Sequence, residues 1–327
     1  MNKINLEDYD YPLPPELIAQ EAFHPRDKCR FMVLKEKKIE HKLFSDIIDY
    51  LQPEDVLVLN ETKVNRCKLV GNKETGGKVE VTLVKPLGNN LYETRIKGRK
   101  LKKGIKLLFK TATGVITLEE EDRFYVQFEK ALQSKDLELL TPPYIKKKVS
   151  EEDYQTIFAR KSGSLAAPTA GLHFTPELLN QIEKKGVKIA KIQLDISFET
   201  FLPVRDVHHH KTGKEYFIVD EKNAKVINSA QRLIAVGTTS VKCLESCTWR
   251  EGKILPTEGF SEIFIKPGFK FRAPIQAMIT NFHLPQSSLL LLTCAYGGRT
   301  RILKVYNEAV KQKYRFFSLG DAMMIFK

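Results

Sequence analysis

The stretch Arg232-Leu233-Ile234-Ala235-Val236-Gly237-Thr238-Thr239-Ser240 decides the fold class of this chain. It starts as an apolar run of strand length, reaches a glycine, and ends in three hydroxyl residues that favour the start of a helix. A strand, a glycine turn and a helix N-terminus are typical of α/β proteins, in which this junction binds small anions or nucleotides. We therefore predict that Thr238, Thr239 and Ser240 bind substrate, although an ordinary helix cap uses the same residue types.

Helices and strands alternate on both sides of this stretch. Residues 176–185 predict a helix with Thr175 as its N-cap and Gly186 just past its end, and residues 187–194 predict a strand. Further upstream, Val56–Asn60 is apolar enough to predict a strand that is buried on both faces. The pattern predicts a larger α/β domain made of residues 1–60 and 150–327.

The segment between these two parts has a different pattern. Residues 78–84 alternate between polar and apolar side chains, and strands are also predicted at 91–96, 105–109, 114–118 and 124–128. Short strands at this spacing favour a small barrel or sandwich. We interpret residues 61–149 as a smaller, barrel-like β-domain that is inserted into the larger domain.

Composition limits the class of protein. The 327 residues are 42% hydrophobic and 28% charged, which is ordinary for a globular protein. The longest apolar run, residues 288–295, is far shorter than the roughly 18 residues that a membrane span needs. The first ten residues are polar and acidic and do not resemble a targeting peptide. We expect a cytoplasmic monomer with no membrane association.

A strong positive charge points to a polyanionic partner. The chain has 53 Lys and Arg against 40 Asp and Glu, a formal charge of +13, and such a surface either binds nucleic acid or is simply solvated. The segment 95–110 is rich in Lys and Arg and lacks acids, which favours contacts with RNA phosphates. The RNA-binding residues predicted there are Arg95, Lys97, Arg99, Lys100, Lys102 and Lys103.

Neither the cysteines nor the histidines form a metal-binding pattern. Five cysteines are irregularly spaced, and only Cys243 and Cys247 lie four residues apart. Reduced, structural thiols are the preferred interpretation. Adjacent histidines at 208–210 cannot share one face of a strand or helix, so we predict no metal site.

Four motifs resemble one known family along the whole chain. They are Ala166-Ala167-Pro168-Thr169-Ala170-Gly171-Leu172-His173-Phe174-Thr175, Ala235–Val241 with Leu244-Glu245-Ser246, Thr280-Asn281-Phe282-His283-Leu284-Pro285 with Ser287-Ser288-Leu289, and Tyr314–Ser318 with Gly320-Asp321-Ala322-Met323. Their order and spacing resemble those of the tRNA ribosyltransferase-isomerases of queuosine synthesis. Four long motifs in one order are far more specific than a lone glycine pattern.

The resemblance implies a reaction. Members of this family transfer and isomerise the ribosyl part of S-adenosylmethionine onto 7-aminomethyl-7-deazaguanine in a tRNA anticodon. Epoxyqueuosine forms, and adenine and methionine leave. S-adenosylmethionine is thus a substrate, and the resemblance implies neither a metal nor a further cofactor.

This chemistry needs a base, an acid and a site for a sulfonium cation. We predict that His173, His283 and Asp321 are catalytic, and that Thr169, Gly171, Asn281 and Arg315 join the three hydroxyl residues in binding substrate. The structural alternatives are that His173 packs its loop, that His283 belongs to the core, and that Arg315 pairs with Asp321.

Two segments depart from the family pattern. Asp195-Ile196-Ser197-Phe198-Glu199-Thr200-Phe201 stands where the family has His-Val-Gly-x-Gly-Thr-Phe, and His210-Lys211-Thr212-Gly213-Lys214-Glu215 stands where it has His-x-Met-His-x-Glu. A lost histidine removes a group that shuttles protons near neutral pH. The acids Asp195 and Glu199 either form a replacement acid–base pair or are solvated.

Three hypotheses therefore remain. The chain is an active member of this family, a divergent member that uses S-adenosylmethionine alone or with another acceptor, or an RNA-binding protein without catalysis. The altered segments favour the second hypothesis, and the intact motifs argue against the third.

Overall fold

The computed structural model describes residues 4–120, 123–201, 203–210 and 212–327. The chain divides into two compact units. One comprises Met1–Lys63 with Pro142–Lys327, and the other comprises Val64–Thr141. The smaller unit is therefore an insertion within the larger one, a segment that we place at residues 61–149 from the sequence.

The strands, in chain order, are β1 (Arg30–Lys35), β2 (Lys38–Leu43), β3 (Val56–Asn60), β4 (Thr62–Val64), β5 (Arg66–Lys73), β6 (Lys78–Gly88), β7 (Leu91–Lys97), β8 (Lys106–Phe109), β9 (Thr113–Glu120), β10 (Arg123–Phe128), β11 (Glu138–Leu139), β12 (Lys161–Ser164), β13 (Lys188–Leu194), β14 (Glu215–Val219), β15 (Leu233–Val236), β16 (Trp249–Arg250), β17 (Lys253–Ile254), β18 (Thr257–Ser261), β19 (Ile275–Asn281) and β20 (Ala322–Phe326). The α-helices are α1 (Pro176–Lys184), α2 (Glu221–Asn228), α3 (Thr238–Ser246), α4 (Ser288–Gly297) and α5 (Arg299–Lys311). Short 3₁₀ helices span Leu6–Tyr9, Pro15–Leu17, Arg26–Lys28, Phe44–Tyr50, Ser134–Asp136, Thr169–Gly171 and Phe198–Phe201.

The larger unit is built on a nine-stranded mixed sheet in the order β18-β14-β13-β3-β15-β19-β20-β1-β2. β13, β3, β15 and β19 run parallel to one another, and antiparallel strands extend the sheet on both sides. β3 lies inside the parallel part, and all five of its residues are buried, as its apolar sequence predicts.

Each face of this sheet supports its own core. Val56 and Val58 of β3 point into a core with α2, α3, α4 and α5, whereas Leu57 and Leu59 point into a second core with α1 and the 3₁₀ helix Phe44–Tyr50. Successive side chains of a strand face opposite sides, so one apolar strand supports both layers. The predicted α/β class is confirmed.

The smaller unit is a closed barrel. β5, β6, β7, β10, β9 and β8 pair in that order, and β8 also pairs with β5. The closing pair aligns Gly71 with Phe109. A Cβ atom at Gly71 would lie 2.2 Å from the carbonyl oxygen of Leu108, so only glycine allows this close approach. The predicted barrel-like domain is confirmed.

Some predicted elements differ from the fold. α3 begins at Thr238, the first of the three hydroxyl residues, and the short apolar run at 263–265, which is typical of a strand, lies in a loop just after β18. β20 and β14 were not predicted. β20 reads Ala-Met-Met-Ile-Phe, and a short apolar run of this kind does not distinguish a strand from a helix.

Candidate functional site

A pocket of about 710 Å³ lies in the larger unit at the carboxyl ends of β13, β15 and β19. Open α/β sheets bind their ligands at this edge. The lining combines segments that are far apart in the sequence: Tyr144, Tyr154, Ala166, Ala167, Pro168, Thr169, Ala170, Ile196, Thr200, Glu215, Gly237, Thr238, Thr239, Lys242, Thr280, Asn281, His283, Leu289, Phe317 and Ser318. Thr169, Thr238, Thr239, Asn281 and His283 are the predicted site residues that line it.

The turn after β15 supplies one wall. Gly237 has a φ of 88°, which glycine adopts without strain, and the chain enters α3 directly afterwards. Thr238 and Thr239 line the pocket, and among the described residues the hydroxyl of Thr239 has no hydrogen-bond partner. Ser240 instead donates to the carbonyl of Val236 at 2.7 Å. The hydroxyl of Ser240 is thus used inside the helix, and substrate binding by Ser240 stays a prediction.

His283 faces the pocket with both ring nitrogens occupied. Nε2 lies 3.2 Å from the hydroxyl of Thr280, and Nδ1 lies 3.2 Å from the hydroxyls of Thr293 and Tyr306. Burial lowers the pKa of His283 to about 3. The imidazole is therefore neutral near pH 7 and can accept a hydrogen bond.

His173 lies outside the lining of this pocket and borders a smaller cavity of about 280 Å³. Its Nδ1 is 3.1 Å from the sulfur of Cys29, its Nε2 is 3.2 Å from the amide nitrogen of Asn281, and its ring packs on Phe44 at 5.1 Å. Burial lowers the pKa of His173 to about 3 despite the hydrogen bond from Asn281. His173 is therefore a buried, neutral histidine with a contact at each ring nitrogen, and its catalytic role stays a prediction.

Asp321, Arg315 and Gly171 also lie outside the lining. The Asp321 carboxylate accepts the backbone N–H groups of Arg30 at 3.0 Å and of Arg315 at 2.7 Å. The Arg315 guanidinium donates to the carbonyl of Glu21. A Cβ atom at Gly171 would lie 2.7 Å from the ring of Phe158, so this glycine is needed for packing. The structure thus gives all three residues structural contacts instead of pocket contacts.

Sequence reasoning missed an ion pair in the pocket wall. Lys242 of α3 contacts the carboxylate of Glu215 at the start of β14, and their side chains are 13% and 2% exposed. Glu215 also accepts from the hydroxyl of Thr200 at 3.0 Å. The available signal was the spacing from Thr238 to Lys242, because residues four apart on a helix share one face.

The two altered segments meet in an adjoining cavity of about 410 Å³, which shares Thr200, Glu215, Lys242 and Leu289 with the main pocket. A Cβ atom at Gly213 would lie 2.5 Å from the carboxylate of Glu199 and 2.5 Å from the hydroxyl of Ser197. The missing side chain at Gly213 therefore leaves room for the extra groups of Ser197 and Glu199. Lys211 lies outside the described residues.

Asp195 takes a different place from Glu199. Its carboxylate accepts from the hydroxyl of Thr62 at 2.6 Å and from the amide of Gln193 at 3.0 Å. Burial raises the pKa of Asp195. Asp195 is thus held by Thr62 and Gln193, whereas Glu199 borders the adjoining cavity, and a replacement acid–base pair of the two stays a prediction.

The three adjacent histidines have separate surroundings. His208 is exposed, His209 pairs with Asp206 at 2.6 Å, and His210 packs on the ring of Phe264 at 5.0 Å. Among the described residues, no group of three or more His, Cys, Asp or Glu side chains is arranged to hold a metal.

The five cysteines are buried and free. No helix in the described ranges is long and apolar enough to cross a bilayer.

The basic residues of the barrel form an exposed turn. Arg99, Lys100, Lys102 and Lys103 lie exposed between β7 and β8. Lys97 lies at the end of β7, 3.9 Å from Glu80, and Arg95 aligns with Thr82 of β6. The turn presents four cations to solvent, so RNA contact by this segment stays a prediction.

The buried histidines predict a loss of stability in mild acid. The ordinary pKa of histidine is 6.5, and burial lowers it to about 3 for His173 and His283. Between these values the unfolded chain binds more protons, so the stabilisation is complete above pH 6.5 and is lost as the pH falls toward 3. Each histidine contributes about 1.4 kcal/mol per pH unit in this window. Urea unfolding at pH 7, 6 and 5 measures the slope.

His283→Gln serves as the comparison. This variant is expected to lose about half of the histidine-dependent slope, whereas the buried carboxylates contribute equally to both proteins. Equal slopes in the two proteins would show that His283 is not the buried neutral group described above.

Comparisons with known proteins agree with this arrangement. The family model described as queuosine biosynthesis protein matches residues 6–325. The chain is 47% identical to the S-adenosylmethionine:tRNA ribosyltransferase-isomerase of a Sulfurihydrogenibium species over 98% of this chain and 100% of that protein. It is 46% identical to the enzyme of the same name from Thermosipho melanesiensis over 99% and 100%.

A solved structure shows the same likeness. The crystal structure of S-adenosylmethionine tRNA ribosyltransferase from Thermotoga maritima superposes with a TM-score of 0.57 and 34% sequence identity, covering 98% of this chain and 100% of that one. The resemblance inferred from the four motifs is confirmed.

Proposed function

Because the chain belongs to the family of S-adenosylmethionine:tRNA ribosyltransferase-isomerases of queuosine biosynthesis, we propose that it is an enzyme that transfers and isomerises the ribosyl part of S-adenosylmethionine onto 7-aminomethyl-7-deazaguanine in tRNA. The products are epoxyqueuosine in tRNA, adenine and methionine.

One observation carries this proposal beyond the likeness of sequence. All four motifs reach one pocket, through residues 166–170, residues 237–239, Thr280 with Asn281, His283 and Leu289, and Phe317 with Ser318. These segments come from distant parts of the chain, and the sheet edge brings them together. A set of motifs that converges on one cavity supports a substrate site.

The pocket contains the chemical groups that such a donor requires. Tyr144 and Phe317 form an aromatic pair with centroids 4.0 Å apart, and aromatic rings of this kind would favour a sulfonium cation. Backbone N–H groups in the first turn of α3 would donate hydrogen bonds to the methionine carboxylate. Of the residues predicted to be catalytic, His283 is the one that lines the pocket, where its side chain would lie beside the substrate.

A mass-spectrometric assay tests the function. The protein is incubated with S-adenosylmethionine and tRNA that carries 7-aminomethyl-7-deazaguanine, and the nucleosides and the released adenine are quantified. We expect epoxyqueuosine and adenine in equal amounts. The absence of both products, with tRNA still bound, would overturn the enzymatic proposal in favour of an RNA-binding protein.

The altered segments support a second candidate function, transfer from the same donor to another acceptor or a reaction of the donor alone. Glu199 and Ser197 add polar groups beside Gly213, in the cavity that adjoins the main pocket. In the assay above, adenine without epoxyqueuosine would identify this alternative.

The anticodon target and the absence of a metal follow from the family resemblance, the cytoplasm is the expectation from the sequence, and a monomer is the default expectation. The enzyme would act on the anticodon region of tRNA, in the cytoplasm, as a monomer, and without a metal or a further cofactor. The basic turn of the barrel supports a nucleic-acid partner, because four exposed cations there would contact phosphates.

Charge reversal on this turn tests the RNA contact. The variant Lys100→Glu with Lys102→Glu and Lys103→Glu is expected to bind tRNA at least about tenfold more weakly. It should also reduce the slope of log K against log salt by about two, because each lost phosphate contact lowers that slope by about 0.7–0.9. Filter binding across a salt series measures both quantities.

A matched variant controls for net charge. Lys184→Glu with Lys222→Glu and Lys311→Glu makes the same change in charge at exposed helix positions of the larger unit. It should change tRNA affinity less. If both triple variants weaken binding equally, the barrel turn is not a specific RNA contact.

A further inference from the structure

The amide of Asn281 is held in one orientation. Its Nδ2 donates to the carbonyl of Phe317 at 3.1 Å and to Nε2 of His173 at 3.2 Å. An amide nitrogen has two hydrogens, so both are used. If the amide oxygen and nitrogen were exchanged, Oδ1 would face the carbonyl oxygen of Phe317, and two acceptors repel each other. Oδ1 therefore lies on the side of the amide that faces away from this carbonyl.

Oδ1 is left as a buried acceptor at the pocket. Asn281 is 2% exposed and lines the pocket, and its Oδ1 has no hydrogen-bond partner within the described part of the chain. Leaving such an atom unpaired is destabilising, because its desolvation is not compensated. A buried acceptor without a partner, on a residue that lines a cavity, indicates a ligand that supplies the missing hydrogen.

We propose that Oδ1 of Asn281 accepts a hydrogen bond from an amine N–H of the substrate, and that His173 is a positioning residue that fixes this amide. The proposal rests on the proposed function, which offers two amines: the 6-amino group of adenine in the donor and the aminomethyl group of the acceptor base. Both hydrogens of Nδ2 are already donated within the protein. Asn281 therefore favours a substrate N–H group next to Oδ1 and disfavours a substrate carbonyl oxygen there.

The surroundings of His173 fit this role. Since Nε2 accepts from Asn281, the proton of the neutral ring is assigned to Nδ1, which donates to the sulfur of Cys29 at 3.1 Å. The ring packs on Phe44 and borders the smaller cavity instead of the main pocket. His173 therefore reaches the substrate site only through Asn281.

Binding measurements separate the two amines. Calorimetry would measure the affinity of the full-length protein for S-adenosylmethionine, for its deaminated analogue with a carbonyl at the 6-position, and for tRNA with and without the aminomethyl group. Asn281→Leu is expected to weaken one of these affinities about 10- to 100-fold. If Asn281→Leu binds S-adenosylmethionine more weakly than the wild type does, but binds the deaminated analogue equally well, the adenine amine is the group that contacts Oδ1. A loss confined to aminomethylated tRNA identifies the acceptor amine.

His173 has its own readout. His173→Leu should weaken the same affinity about tenfold, and His173→Gln, which keeps an acceptor for Nδ2, should restore most of it. The pH profile of kcat should keep its shape in both variants. If His173→Gln loses more than about 100-fold in kcat with substrate affinity unchanged, His173 acts as an acid or base and the positioning role is wrong.

A matched control uses Asn228, whose amide donates to the carbonyl of Ile254 at 2.9 Å and accepts its N–H at 2.8 Å. Asn228→Leu loses two hydrogen bonds but should keep both substrate affinities. Changes below twofold in Asn281→Leu would overturn the inference. Both affinities are measured without turnover, so an inactive wild-type protein would overturn the proposed function and not this inference.

Discussion

Replacing Lys242 by methionine is expected to lower the free energy of unfolding by about 3–5 kcal/mol, because it leaves a buried carboxylate without its counter-charge. The side chain of Glu215 is only 2% exposed, and Lys242 is the cation that contacts it. Thr200 and the backbone N–H of Ser197 still donate to Glu215, but neutral donors compensate a buried charge only in part. Urea unfolding at pH 7 measures the loss.

Two further variants isolate the cause. Adding Glu215→Gln to Lys242→Met removes the stranded charge and should restore about half of the lost stability. Lys225→Met breaks an exposed pair with Glu221 four residues away and should cost less than about 0.5 kcal/mol. A loss below about 1 kcal/mol in Lys242→Met would show that the pair is solvated.

Asp321→Ala is expected to lower the free energy of unfolding by about 2–5 kcal/mol while the folded protein keeps its kcat. The carboxylate accepts two backbone N–H groups, those of Arg30 and Arg315, and is 1% exposed. Each buried N–H left unpaired costs about 1–3 kcal/mol. If Asp321 were catalytic, as we predict from the sequence, kcat would fall by about 10²–10⁴ instead. Turnover per folded molecule at low temperature distinguishes the two outcomes.

Asp220→Ala provides the comparison for Asp321. Asp220 caps α2 by accepting the N–H of Asn223 at 2.8 Å, and it is exposed. Water can replace its carboxylate, so the expected cost is about 0.5–2 kcal/mol. If the two variants lost the same free energy of unfolding, the burial of Asp321 would have no effect on how much its hydrogen bonds stabilise the protein.

The fold could be predicted from sequence wherever one segment carries its own signal. Val56–Asn60 starts with four apolar residues in a row, and Thr175 and Gly186 mark the ends of α1 by side-chain capping and positive φ. β20 carried no such signal, since its pairing with β19 and β1 depends on strands far away in the chain.

The candidate site, like the fold, could be predicted only where a short segment carries its own signal. Thr238 and Thr239 were predicted because a strand, a glycine and a helix start form a local pattern, and they do line the pocket. The place of His173 could not be predicted, because a motif does not show whether a histidine faces a cavity or its own core. The partnership of Lys242 with Glu215 needs β14 and α3 to meet, which no local pattern reports.

The closure of the barrel at Gly71 also has a consequence for aggregation. A single added methyl group there would lie 2.2 Å from the carbonyl oxygen of Leu108 and 2.6 Å from the ring of Phe109, and would push β5 and β8 apart. The cylinder would then become an open sheet with two bare strand edges, and such edges pair readily with the edges of other molecules. Glycine at position 71 therefore keeps the edges of β5 and β8 paired with each other within the barrel.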